Sequence, residues 1–174
     1  MLSFSRLHPD TSTLYKSLDA VNKRDIGHTL NTFTNRAALF STFKVKAASH
    51  GDAELQMSVG IAASLLKKQE LARRAQVLIE PTMAEPVFTI IGHQIYVYYA
   101  YPRKDLIYGR DGVHILGPDV DRFARLSTDS IRGIFQLLRV YGNLLRYGMD
   151  ENEDGYWGGF FRPVLEKLAS APNY

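Results

Sequence analysis

Three arginines in the last third of the chain are spaced for chemistry with anions. Arg132, Arg139 and Arg146 recur at seven-residue intervals. In a helix, which rises 1.5 Å per residue, this spacing places them about 10 Å apart along one stripe. Guanidinium groups bind both carboxylates and phosphates. The pattern predicts a stripe that meets an acidic partner or a phosphate backbone, the alternative being an exposed helix edge that only water solvates.

A second basic group ends an earlier helical segment. Lys67, Lys68, Arg73 and Arg74 are opposed only by Glu70. Cations stabilise the last turn of a helix, which is one explanation of the cluster. Clustered Lys and Arg are also typical of surfaces that bind anionic lipid or nucleoprotein. On that interpretation the same surface is predicted to include Lys44, Lys46, Arg103 and Lys104.

An aromatic segment follows an acidic one near the C-terminus. Residues 150–174 contain five acidic and two basic residues, whereas the chain as a whole has a net charge of +3. Opposite charges on one small domain favour head-to-tail self-association. Four aromatic side chains are predicted to take part in it, although core packing is the alternative: Tyr156, Trp157, Phe160 and Phe161.

Motifs that would indicate an enzyme are missing. The chain contains no cysteine, and its five histidines share no metal-ligand spacing. Residues 150–155 resemble the first half of a calcium loop, but Phe161 stands where the twelfth-position Glu should be. Neither a nucleophile-elbow motif nor a phosphate-binding glycine loop occurs. We therefore expect no catalytic residue, no metal, no cofactor and no small-molecule substrate.

The hydrophobic pattern predicts strands and helices in a definite order. A strand over 38–47 and a helix over 55–74 are followed by a short strand at 75–80 and two β-hairpins. A long helix is predicted over 130–147. This order indicates an α+β fold, an antiparallel sheet with helices packed on one face. Residues 1–12 are expected to form a short N-terminal arm and residues 13–174 a single domain.

The order of elements resembles the rhabdovirus matrix proteins, especially the short ones of plant cytorhabdoviruses. The similarity rests on the strand Leu39–Lys46, the Ala-rich helix Val59–Leu66, the antiparallel strands and the late helix Ile131–Leu145. It implies a structural, non-enzymatic protein of an RNA virus. Such a protein would self-associate into a polymer or lattice beneath the envelope, at the host membrane periphery.

The partners implied by this resemblance are viral nucleoprotein, an anionic membrane surface and further copies of the chain. The residues themselves support a second hypothesis, a nucleic-acid-binding module that uses the arginine stripe. Salt-dependent binding that weakens on Arg139→Ala would distinguish the second hypothesis from the first.

Overall fold

The computed structural model describes residues 1–47, 51–78, 84–104, 111–118, 121 and 126–170. The sequence also predicts a strand at 106–108 and a helical segment over 119–126, and both lie largely outside these ranges. Within the described ranges, the strands and helices follow one another in this order: β1 (Leu2–Ser3), α1 (Pro9–Ala20), β2 (Leu39–Lys46), α2 (Gly51–Ala75), β3 (Glu85–Ile91), β4 (Gln94–Lys104), β5 (Asp111–Leu116), α3 (Ile131–Met149), a π-helical turn (Trp157–Phe161) and α4 (Arg162–Ser170).

The strands form one five-stranded sheet in the order β1-β2-β3-β4-β5. β3, β4 and β5 are antiparallel neighbours, and β1 pairs antiparallel with the first residues of β2. β2 and β3 are parallel because α2 carries the chain back across the sheet between them. The predicted α+β class with a mostly antiparallel sheet is confirmed. The parallel pair was not predicted, and Ala75 ends α2 instead of starting a strand.

Helices cover both faces of the sheet, whereas the sequence analysis placed them on one face. Val87 packs with Ile61 of α2 in one apolar cluster. The neighbouring Phe88 lies 5.7 Å, ring to ring, from Tyr141 of α3. Successive residues of a strand point to opposite faces, so the two helices lie on opposite sides. The burial of five successive residues of β3, from Glu85 to Thr89, follows from this double coverage.

The N-terminal residues are part of the fold. β1 pairs with β2, and Phe4 is buried beside Phe40, Trp157 and Phe161, with ring centroids 5.0, 4.7 and 5.4 Å away. The hydroxyl of Tyr15 in α1 accepts a hydrogen bond from the amide of Ala38 at 3.0 Å. Residues predicted as an arm therefore supply a strand, a core ring and the start of α1.

The C-terminal aromatic segment lies in the core. Tyr156, Trp157, Phe160 and Phe161 are each less than 7% exposed. Gly158 makes this possible, because a Cβ at that position would overlap the backbone of Glu151. These four side chains pack within their own subunit, and they are not exposed for the predicted self-association.

Candidate functional site

Two ion pairs lie at the edge of the sheet where β2 and β3 end. The Nζ of Lys46 lies 3.5 Å from Oδ2 of Asp52, and Nε2 of His93 lies 3.6 Å from Oδ2 of Asp129. The two strand ends are joined, because the amide of Gly92 donates to the carbonyl of Lys46 at 3.0 Å. We call Lys46, Asp52, His93 and Asp129 the carboxyl-edge site.

The parallel pairing of β2 and β3 creates this edge. Both strands end there, and α2 begins at Gly51, shortly after β2. α3 also begins there: the amide of Thr128 donates to the carbonyl of His93 at 2.9 Å, and Ser130 caps the helix. Helix N-termini favour anions because their free amides carry partial positive charge. Ligands of sheets with parallel strands commonly bind outside the carboxyl ends of those strands.

The side chains of the carboxyl-edge site are accessible to a ligand. The His93 and Asp129 side chains are both 58% exposed, and that of Lys46 is 19% exposed. Lys44 lies on the same face of β2 as Lys46, since side chains alternate along a strand. Within the described ranges Lys44 makes no ion pair. The site thus offers two lysines to an anion beside the imidazole of His93.

A second cluster of polar groups is sealed inside the fold. The Nζ of Lys68 contacts the carboxylate of Glu85 and donates to Oγ of Ser64 at 2.9 Å. Ser64 in turn donates to Oε2 of Glu85 at 2.8 Å, and Thr42 donates to Oε1 at 3.3 Å. Burial lowers the pKa of Lys68, an effect that the Glu85 carboxylate opposes. Because Glu85 is fully buried, this cluster cannot reach a large substrate.

The cations predicted to share one surface are separated by the fold. Lys68 is buried, as described above, and Lys67 pairs with Asp25. Lys67 lies fifteen residues along α2 from Asp52, roughly 22 Å at helical rise, so it is at the other end of the helix from Lys46.

The remaining predicted cations lie at that far end of the sheet or near it. Arg74 pairs with Glu70 at 3.3 Å, and Arg73 is exposed in the last turn of α2. Arg103 lies 3.3 Å from Nδ1 of His114. Lys104 ends β4, and its side chain lies outside the described part of the structure. The structure therefore brings together only Lys44 and Lys46 at the carboxyl edge.

The predicted arginine stripe is exposed along α3. Arg132, Arg139 and Arg146, which we call the Arg row, all lie on the solvent side of the helix. None of them forms an ion pair with another described residue. The Arg row is therefore open to an external partner.

The comparison with protein families identifies the chain. Residues 2–157 match the sequence model of the PD-(D/E)XK nuclease superfamily, and the chain belongs to that superfamily. No curated protein matches the chain. No solved structure matches it either.

This membership corrects the functional expectations drawn from the sequence. The resemblance to rhabdovirus matrix proteins is wrong, because element order alone is shared by unrelated folds. The expectations of a non-enzymatic structural protein, a nucleoprotein and membrane bridge and a self-assembling lattice are wrong with it. Superfamily members are typically nucleases, which contradicts the expected matrix partners. No helix in the described ranges is long and apolar enough to cross a membrane.

The chain lacks part of the sequence signature for which the superfamily is named. No Asp or Glu is followed two positions later by Lys, so the (D/E)-x-Lys tripeptide is missing. Pro-Asp occurs at 9–10, in α1, and at 118–119, where Asp119 lies outside the described residues.

A catalytic metal ion, a common device in phosphodiester hydrolysis, needs converging carboxylate or imidazole ligands. The described residues contain no group of three His, Asp or Glu side chains able to hold one. The side chains in the described part of the chain thus do not fit a metal centre.

The local sequence pattern named Lys46 as a cation but gave no functional role to Asp52, His93 or Asp129, so the carboxyl-edge site was not predicted. One feature of the sequence could have indicated the site, namely the order strand–helix–strand formed by β2, α2 and β3. If β2 and β3 are parallel, this order places Lys46 and the Gly92–His93 turn at the same edge of the sheet. Only the parallel pairing of β2 and β3 reveals it.

Proposed function

We propose that this chain acts on nucleic acid, binding its phosphate backbone and hydrolysing phosphodiester bonds as nucleases do. The observation that carries the proposal is the match of residues 2–157 to the PD-(D/E)XK nuclease superfamily. The mildly basic chain, with a net charge of +3, is compatible with a polyanionic substrate.

The carboxyl-edge site is the proposed contact for the backbone. Lys44 and Lys46 supply positive charge, and the N-termini of α2 and α3 add partial positive charge at the same edge. His93, paired with Asp129 at the same edge, supplies an imidazole for proton transfer. This arrangement supports binding of a phosphate beside a group that could accept a proton from water.

Binding is tested by fluorescence anisotropy with labelled single-stranded DNA, double-stranded DNA and RNA across a salt series. The double variant Lys44→Ala/Lys46→Ala removes two phosphate contacts. For duplex DNA each contact contributes about 0.9 to the slope of log affinity against log salt, so the slope should fall by about 1.8. A control, Lys16→Ala/Lys167→Ala, removes the same charge from exposed positions of α1 and α4 and should leave the slope unchanged.

Hydrolysis is tested separately by nicking of supercoiled plasmid and by cleavage of labelled oligonucleotides, with and without added divalent cation. His93→Ala is expected to lower cleavage while leaving binding intact, because His93 is proposed to move a proton and not to hold the substrate. Absence of binding at low salt together with absence of cleavage would refute the proposal.

The Arg row is the second candidate for the phosphate contact, because its three guanidinium groups are exposed and unpaired within the described structure. Arg139→Ala separates the two surfaces. If this variant lowers the salt slope and Lys44→Ala/Lys46→Ala does not, then nucleic acid lies along α3.

A further inference from the structure

One face of α3 is apolar and exposed to solvent. Its large side chains are between 45% and 76% exposed. With one glycine they form a continuous line that we call the α3 seam: Ile131, Phe135, Leu138, Gly142, Leu145 and Met149. Soluble monomers rarely expose a contiguous apolar patch of more than a few hundred Å², and larger patches mark interaction sites. The opposite face of α3 packs into the core, where Leu137 and Leu144 are buried.

The spacing of the α3 seam indicates what kind of partner fits. Its positions are separated by four, three, four, three and four residues. They form two rows that each repeat every seven residues, which is the pattern of helices that pack side by side with interlocking side chains. A partner helix matches this periodicity along the whole length of α3.

Gly142 leaves a gap in the middle of the α3 seam. A Cβ built at this position would meet no heavy atom within 4 Å, so the gap opens to solvent. Leu138 and Leu145 flank it on neighbouring turns. A large apolar side chain of a partner helix can occupy the gap, as a knob enters a hole between facing residues.

The Arg row determines the charge of that partner. Each arginine directly follows a leucine or isoleucine of the α3 seam and so borders it along one side. Charges at such flanking positions select the partner of a paired helix. Because no described residue pairs with the Arg row, the complementary carboxylates must come from outside the described structure.

A second copy of the chain that pairs through its own α3 does not supply these carboxylates. In an antiparallel pair of α3 helices, Arg139 would face Arg139 of the other copy, and like charges in contact oppose association. In a parallel pair, the Arg row would face the flank formed by Ile134, Tyr141 and Gly148, which carries no acidic residue. Nucleic acid would satisfy the Arg row but leave the α3 seam in water.

We propose that α3 is a docking surface for an acidic amphipathic helix of a partner protein. The apolar side chains of that helix cover the α3 seam, and a row of Asp or Glu residues on its flank pairs with the Arg row. Docking at α3 leaves Lys44 and Lys46 free, so this surface is independent of the nucleic-acid function proposed above.

The test uses two synthetic three-heptad peptides and the full chain. Both peptides carry Leu at the seam positions; one carries Glu at the flanking positions and the other Lys, which keeps each peptide from pairing with itself. Calorimetry should show binding of the Glu peptide, with the Lys peptide weaker by about tenfold or more. Arg139→Glu should reverse this order, because it changes the charge at the centre of the Arg row.

Two further variants distinguish binding through the apolar α3 seam from binding through charge attraction alone. Leu138→Glu should weaken the Glu peptide by about tenfold or more, since central apolar side chains dominate such interfaces. Lys16→Glu, an exposed substitution on α1, should leave binding unchanged. Both substituted side chains of α3 are exposed, and circular dichroism verifies that the variants fold.

Three results would overturn the proposal. The first is equal or absent binding of the two peptides. The second is a wild-type dimer in sedimentation that Leu138→Glu converts to a monomer, which would identify a second copy as the occupant. The third is nucleic-acid binding that depends on Arg139 together with no peptide binding. Loss of nucleic-acid binding in Lys44→Ala/Lys46→Ala would leave this proposal unaffected, so the two proposals fail separately.

Discussion

The buried pair Lys68–Glu85 predicts a strong and non-additive effect on stability. Lys68→Met and Glu85→Gln each remove one charge and leave the other buried without its partner. Removing one member of a buried ion pair costs about 3–5 kcal/mol. For a chain of 174 residues, 1 kcal/mol corresponds to a melting-temperature shift of about 2–4 °C, so each single variant should melt roughly 6–20 °C lower.

The double variant Lys68→Met/Glu85→Gln should recover most of this loss. It leaves no isolated charge, and a Gln at position 85 whose carbonyl oxygen takes the place of Oε1 still accepts hydrogen bonds from Ser64 and Thr42, which both lie within reach of that atom. Urea unfolding of the four proteins gives the coupling free energy from a double-mutant cycle.

The single variant Glu85→Gln should also respond to pH. Burial lowers the pKa of Lys68, and the variant lacks the carboxylate that opposes this shift. The unfolded state then binds more protons than the folded state, so stability should rise as the pH approaches the ordinary pKa of lysine. A loss below about 1 kcal/mol in each single variant, or strict additivity in the double variant, would refute this view of the pair.

Two further predictions concern α3. Gly148→Ala should lower stability by about 1–3 kcal/mol, because its Cβ would overlap the ring of Phe40, whereas Gly142→Ala should raise it by up to about 1 kcal/mol, because its Cβ meets open space. Thermal melting of the two variants tests this prediction. Both replace a glycine with alanine, yet the expected shifts in melting temperature have opposite signs. Burial raises the pKa of Tyr147 to about 12, so its contribution to stability is complete below pH 10 and declines as the pH rises towards 12. The loss of stability over this range should be smaller in Tyr147→Phe, as measured by urea unfolding.

Local pattern was sufficient to predict most elements of the fold. The alternation of Phe43, Lys44 and Val45 predicted β2, and the apolar run around Gly92 and His93 predicted the hairpin of β3 and β4; both are confirmed. The pairing of β2 with β3 was not predictable in this way. Whether two strands run parallel depends on contacts between residues far apart in sequence, here Thr42 with Val87.

Which charged and aromatic residues are buried was harder to predict from the sequence than where the strands and helices lie. Lys68 and the exposed Arg73 each belong to a pair of adjacent cations in α2, and only the position of Glu85 in the folded chain distinguishes the buried Lys68. The aromatic residues from Tyr156 to Phe161 are similarly ambiguous, because glycines next to them suit a mobile surface segment and a tightly packed turn equally well. Helical periodicity predicted that Arg132, Arg139 and Arg146 share one stripe, and all three are exposed along α3, whereas the acidic or phosphate partner of the Arg row stays a prediction.

The position of Phe4 has a consequence for synthesis of the protein. Two of its ring neighbours, Trp157 and Phe161, are translated about 150 residues later, a delay of roughly 8–30 s at ordinary elongation rates. During that interval the nascent chain carries Phe4 and Phe40 without the rings that later enclose them. Completion of this core thus waits for α4 to leave the ribosome, and chaperones that shield aromatic segments have this whole interval in which to act on β1 and Phe4.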